Sequence, residues 1–228
     1  GKTTLLKLLL GLYTPVSGRV LLDGADINQF SRRDLSKWIG YAPQECILFN
    51  GTVKDNIIQT HPETSDEDCL IASRMAQAHA LVINLPDGYG TQVGEGGSLL
   101  SGGMRQRISI ARALVGNPSV VVLDEPSGSL DKDAEAKLRL TLEELSKSHT
   151  VIIVTHSPVL LEACANVIIM ESGRIKLAGP KGKVMESLAQ QRANAPGNRK
   201  KTVPIKVTKV DGLQTEKKLK HPHQETEI

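Results

Sequence analysis

Two short runs constrain this chain more than anything else in it. Val120-Val121-Val122-Leu123 and Val151-Ile152-Ile153-Val154-Thr155 are apolar and rich in β-branched residues, show no alternation, and are bounded by turn residues. A strand with one wet face alternates apolar and polar side chains. A strand without alternation is buried on both faces, as in a parallel sheet covered by helices. The stretch 131–147 between them has the pattern of a charged amphipathic helix, long enough to carry the chain across to a parallel neighbour. Strand, helix, strand in this order reads as an α/β fold.

The rest of the pattern agrees. Residues 3–12 read as a helix with a wide apolar face, 18–22 as a strand before an Asp23-Gly24 turn, 31–38 as a helix begun by Ser31, and 39–42 as a strand. Apolar positions from Cys69 to Ile83 predict one helix over 66–84, followed by a glycine-rich loop to Gly97 and a helix from Ser101 to about Gly116. Strands at 166–170 and 174–177 form a hairpin around Ser172-Gly173, and 181–191 is a last helix. A short strand at 203–210 is allowed by alternation in an otherwise loose tail.

Composition excludes several classes. The apolar runs fall far short of the roughly 18 residues a membrane span needs. Cys46, Cys69 and Cys164 show no metal or redox spacing; they read as small buried or half-buried hydrophobes in a reducing compartment. No secretory leader pattern is visible. The formal charge of +3 is unevenly placed. Residues 192–228 hold nine Lys/Arg against four Asp/Glu, a +5 tail; 1–191 hold 19 against 21, a −2 body. The tail has no aromatic residue to stack on bases, so a solvated extension is expected there, with no specific nucleic-acid partner.

Three segments carry chemistry. Gly1-Lys2-Thr3-Thr4 is the end of a G-x-x-x-x-G-K-[ST] phosphate loop: backbone N–H groups at a helix start cradle phosphates, the lysine reaches them, and the Thr3 hydroxyl coordinates Mg²⁺. Val120 to Glu125 is an apolar strand ending in two carboxylates, delivered to the sheet edge where α/β folds bind ligands. There Asp124 can serve Mg²⁺ and Glu125 can polarise a water. In Leu100-Ser101-Gly102-Gly103-Met104, Ser101 is an N-cap and the glycines let helix N–H groups approach an anion. His156 follows the second apolar strand, which puts it on the same sheet edge as Asp124. His61, His79, His149, His221 and His223 have no such placement.

In order, GKTT, YAPQ (41–44), LSGGM (100–104), VVVLDEP (120–126), GSLD (128–131) and TH (155–156) make residues 1 to about 190 resemble the nucleotide-binding domain of an ABC transporter. The resemblance implies a P-loop NTPase with a RecA-like core, a helical subdomain at about 55–115, and an ATPase domain over 1–191 followed by the basic tail. It implies ATP and Mg²⁺ as ligands. Gly1, Lys2, Thr3 and Thr4 would complete the phosphate loop, and Gln44 would touch Mg²⁺ and the attacking water. Ser101, Gly102 and Gly103 would bind the γ-phosphate of ATP held by a second copy. Asp124 would hold Mg²⁺ through water, Glu125 would be the catalytic base, Asp131 would signal across the dimer, and His156 would contact the γ-phosphate.

The segments 91–97 and 49–57 resemble those of exporters, and the run from Gly11 to Leu188 is most similar to type I secretion ATPases. That implies export of protein or peptide, on the cytoplasmic face of a bacterial inner membrane, with upstream transmembrane domains, a periplasmic adaptor and an outer-membrane channel as partners. Met104, in place of a common Gln, and Gly128-Ser129, in place of a common Ser-Ala, depart from the family pattern without removing a phosphate ligand. The family's first phosphate-loop residues, the strand before them and the adenine-stacking aromatic fall upstream of Gly1. The chain is therefore expected to be part of a longer one, and inactive alone. A soluble ABC ATPase and a non-hydrolysing ABC module are the alternatives; the exporter-like loop opposes the first, and intact Glu125 and His156 oppose the second.

Overall fold

The computed structural model describes residues 1–193. The strand proposed at 203–210, the loose basic tail, His221 and His223 lie outside the described residues.

Helix α1 (Lys2–Leu9) opens directly after Gly1 and stops before Gly11, which adopts φ +64°. The predicted strand at 18–22 shrinks to β1 (Leu21–Leu22), paired antiparallel with β2 (Ala25–Asp26) around the left-handed turn Asp23-Gly24. Helix α2 (Arg32–Trp38) is capped by Ser31, whose Oγ accepts from the Asp34 amide, and runs straight into β3 (Ile39–Ala42). Helix α3 (Val53–Ile58), unforeseen from periodicity, is fixed by a capping box between Thr52 and Asp55.

The predicted helix 66–84 is two helices, α4 (Asp66–Met75) and α5 (His79–Val82). Gln77 takes φ +56° between them, and the Ala78 amide bonds back to Ser73 O, a left-handed helix stop that a periodicity count does not see. The glycine-rich loop is strapped to the start of α3: Val53 donates to Thr91 O and Val93 to Gly51 O, both at 3.0 Å. Helix α6 (Gly102–Leu114), strand β4 (Val120–Asp124), helix α7 (Lys132–Leu145) and strand β5 (Thr150–Val154) follow as read from the pattern. A short helix α8 (Pro158–Glu162), capped by Ser157, precedes the hairpin β6 (Asn166–Glu171) and β7 (Arg174–Pro180), then α9 (Lys181–Ala193).

Strands β3, β4 and β5 form a parallel sheet in that order, with Ala42 opposite Leu123 and Asp124 opposite Val154. β4 is the central strand and Val121, Val122 and Leu123 are fully buried. Val121 and Leu123 belong to a core that includes Ile108, Ile110, Leu138 and Leu142. Val122, pointing the other way, packs with Leu6 of α1 and with Leu10 just after that helix. Both faces are thus covered, each such side chain contributing roughly 1.5–3 kcal/mol relative to exposure. β5 is only half-buried, being one of the two outer strands of this sheet among the described residues. On the other side, α6 presses close to β3: a Cβ on Gly40 would sit 1.8 Å from Ala113 O, so no larger residue fits there. No helix of the described residues is long and apolar enough to cross a membrane.

Candidate functional site

The three parallel strands end together, and the central one ends in the acids. Asp124 is the last residue of β4 and is 1% exposed. Neither of its carboxylate oxygens has a hydrogen-bond partner among the described residues. A bare buried carboxylate costs several kcal/mol unless a cation or donors satisfy it. Its charge reaches the neighbouring strand: burial first, and Asp124 second, push the Tyr41 phenol up from 10.0. Gln44 lies two residues past the end of β3, the neighbour of β4, and is exposed.

Glu125 is held in an uncommon conformation. Its φ is +49°, outside the region L-residues prefer. Its amide donates to Val154 O at 2.8 Å, tying it to the end of β5. Its side chain turns to the residue beyond that strand: Oε2 accepts the His156 backbone N–H at 3.2 Å, and Oε1 lies 3.5 Å from His156 Nε2. The Glu125 side chain is 19% exposed and that of His156 is 76% exposed. One end of the carboxylate is anchored while the imidazole faces outward.

A second cluster gathers at the start of α6. Ser101 caps the helix, its Oγ accepting from the Met104 amide at 3.3 Å. Arg105 reaches back to Leu100 O at 2.6 Å and fixes the turn from within. The Gly102 and Gly103 amides stand in the first turn, where a helix leaves N–H groups free for an anion. Gly103 admits nothing larger, since a Cβ there would come 2.9 Å from Ser129 O. Asp131 caps α7 with its Oδ1 accepting from the Ala134 amide at 2.8 Å, and its Oδ2 lies 3.9 Å from Arg107 on α6. The Ala134 bond, then Arg107, holds the Asp131 carboxyl below its ordinary 3.8. In the sequence Ser129 stands out only as a departure from the family pattern, and Arg105 and Arg107 carry no expected role. Their positions inside the GSLD and LSGGM neighbourhoods are the signal that could have found them.

The structure therefore brings Asp124, Glu125 and His156 together at the sheet edge, with Gln44 at the end of the next strand. It brings Gly102 and Gly103, in the turn that Ser101 caps, against Ser129, with Asp131 facing Arg107 of the same helix. Lys2, Thr3 and Thr4 open α1, which Leu6 and Leu10 seat on Val122. Gly1 rests by the β6–β7 turn, a Cβ there meeting Gly173 Cα at 3.4 Å. Among the described residues no cluster of three or more His, Cys, Asp and Glu could hold a metal ion alone. Mg²⁺ bound with nucleotides takes one or two carboxylates, several waters and phosphate oxygens. The unpartnered Asp124 carboxylate fits that role.

The sequence pattern of ABC transporters matches residues 1–128. An uncharacterized ABC transporter ATP-binding protein of Sinorhizobium fredii is 37% identical over 185 residues, 81% of this chain and 32% of that protein. A Staphylococcus aureus protein, assigned by name as a multidrug export ATP-binding/permease protein, is 41% identical over 179 residues, 78% of this chain and 31% of its own length. The solved structure of a bacterial Atm1-family ABC exporter with ATP bound is 31% identical, with a TM-score of 0.78 over 88% of this chain and 36% of that one. The chain thus spans about a third of the relatives it matches. A family pattern covering more than half of its residues, laid on a parallel sheet whose central strand ends in Asp124, shows that this chain belongs to the ABC transporter family.

Proposed function

We propose that this chain is the ATP-hydrolysing domain of an ABC exporter, with the ATPase domain over 1–191 and a helical subdomain at about 55–115. The observation that carries this is the unpartnered, buried Asp124 carboxylate beside the Glu125–His156 pair at the C-terminal edge of a parallel sheet. Bound there, Mg²⁺ supplies charge neutralisation on the phosphate oxygens. Asp124, Thr3 and Gln44 would hold it, and Gly1, Lys2, Thr3 and Thr4 would hold the phosphates. Glu125, oriented by His156 and by the Val154 carbonyl, takes a proton from the attacking water. His156, its ring exposed, would contact the γ-phosphate.

The sheet-edge cluster supplies acids, and the α6 start supplies N–H donors. Neither alone balances a γ-phosphate. In this reading a second copy presents its Ser101, Gly102 and Gly103 to the nucleotide bound here, and Asp131 lies at that junction. The partners are then a second ATPase domain and transmembrane domains, and the place is the cytoplasmic face of a bacterial inner membrane. The relatives' names and titles include multidrug export and an Atm1-family exporter, which supports export in general. Protein or peptide as the cargo, with a periplasmic adaptor and an outer-membrane channel, rests on the likeness to type I secretion ATPases.

The test is Glu125→Gln in the full-length protein. ATP turnover is expected to fall about 10³-fold, in line with loss of a general base, while MgATP binding is retained. Unchanged turnover would remove Glu125 from the base role and the reading with it.

A further inference from the structure

The segment after Gln44 has no helix or strand of its own up to α3, yet it is held at three backbone or side-chain points. The Cys46 thiol donates to Gln106 Oε1 at 3.0 Å. Ile47 O accepts from Arg112 Nη1 at 3.2 Å. Phe49 is gripped at both ends by one buried amide: its N–H donates to Asn56 Oδ1 at 2.8 Å, and its carbonyl accepts from Asn56 Nδ2 at 2.9 Å.

Asn56 is 2% exposed and every bond its side chain can make is used. Nδ2 also donates to Thr52 O at 3.0 Å, and Oδ1 also accepts from Arg112 Nη2 at 2.9 Å. Arg112 completes the grip with Nε on Asn56 O at 2.7 Å, its guanidinium lying 5.4 Å from the centre of the Phe49 ring. This planar fork reaches three oxygens on two segments, which an ammonium cannot reproduce.

Gln106 and Arg112 both belong to α6, whose first turn is Gly102-Gly103. At a rise of about 1.5 Å per residue, Arg112 stands about 15 Å along the same rigid rod from that turn. We infer that Asn56 and Arg112 are positioning residues for Gln44: they lock residues 46–49 to α6, so that the anion-binding start of that helix and the Gln44 loop move as one body. The inference rests on the function proposed above for where Gln44 acts, but the lock itself stands on the bonds alone.

Cys46 is a probe built into the locked segment. It is half-buried, and burial pushes its thiol up, so it should react slowly while the lock holds. In the full-length protein, maleimide labelling would be followed at the Cys46 peptide by mass spectrometry. Arg112→Lys, which keeps the charge and loses the fork, and Asn56→Ala, which leaves Cys46 untouched, should each speed labelling about tenfold by opening the segment. Labelling at the unsubstituted rate in both would overturn the lock.

The second arm is a cycle of Arg112→Lys with Gln44→Ala. If Arg112 acts through Gln44, kcat falls in each single variant with KM for ATP little changed, and the double variant is no slower than Gln44→Ala. Multiplicative losses would overturn the positioning role. A full-length protein that turns over no ATP while its Cys46 labelling responds as expected would strike the proposed function and leave the lock standing.

Discussion

The two clusters of the candidate site are built in opposite ways. At the sheet edge, Asp124 is buried without a partner and Glu125 sits at a positive φ, pinned by β5 and His156. At the start of α6, Ser101 is an ordinary cap and Arg105 satisfies the turn it grows from. The first cluster holds unbalanced charge and backbone strain; the second is relaxed and offers donors at the surface. Strain and unsatisfied charge persist only where the surrounding structure forces them. The sheet, buried on both faces at β4, provides that force. The α6 turn needs none, because two glycines and a cap produce the geometry locally.

The sharpest way to break this comparison is Asp124→Asn. If the carboxylate is there for a cation, full-length protein should lose roughly 10²–10³-fold in Mg²⁺-dependent turnover, the scale set by removal of one electrostatic stabiliser. The same change removes a buried unpaired charge, so stability without nucleotide should not fall, read as a thermal midpoint unchanged or raised. A lower midpoint would mean that the fold, not a ligand, satisfies Asp124. Gly103→Val tests the other cluster. Its Cβ would meet Ser129 O at 2.9 Å, displacing the donor turn from its neighbour. Turnover should fall by about 10², with the loss in assembly of two copies and not in single-site nucleotide binding. Normal turnover would show that nothing needs to approach that turn closely.

How much of this was readable in the sequence follows the same division. The unalternating runs placed β4 and β5, and Ser31, Ser101 and Asp131 stand where they cap α2, α6 and α7. These features are local, and a sequence displays local physics. Helix α3 is equally local, signalled by Thr52 and Asp55 three residues apart, but its 6 residues are too few to display an apolar period. The break at Gln77 was not legible, because a left-handed helix stop in a residue other than glycine carries no compositional mark. The motif order led to Glu125 and His156, but the bonds between them join residues 31 apart and exist only once β4 and β5 are paired. The grip of Arg112 on residues 47 and 56 is hidden for the same reason.

Asp131 allows the smallest and most exacting test, since one backbone bond holds its carboxylate at the start of α7 and Arg107, 3.9 Å away, links it to α6. Its carboxylate accepts from the Ala134 amide at the start of α7, where the helix dipole also favours negative charge. That bond first, and Arg107 after it, lower the carboxyl below its ordinary value of 3.8. A carboxyl whose folded value lies below its unfolded one contributes stability that is fully present above the unfolded value. The contribution is lost as pH falls through the folded value. The stability advantage of the native chain over Asp131→Asn should therefore be constant from neutral pH down to about 4 and shrink only below it. Asparagine caps nearly as well as aspartate, so the difference isolates the charge. Denaturant titrations of both proteins at several pH values measure it. A difference that vanishes well above pH 4 would show that the Asp131 carboxylate is not its source, since the α7 cap and the Arg107 pair across 3.9 Å both need the ionised form.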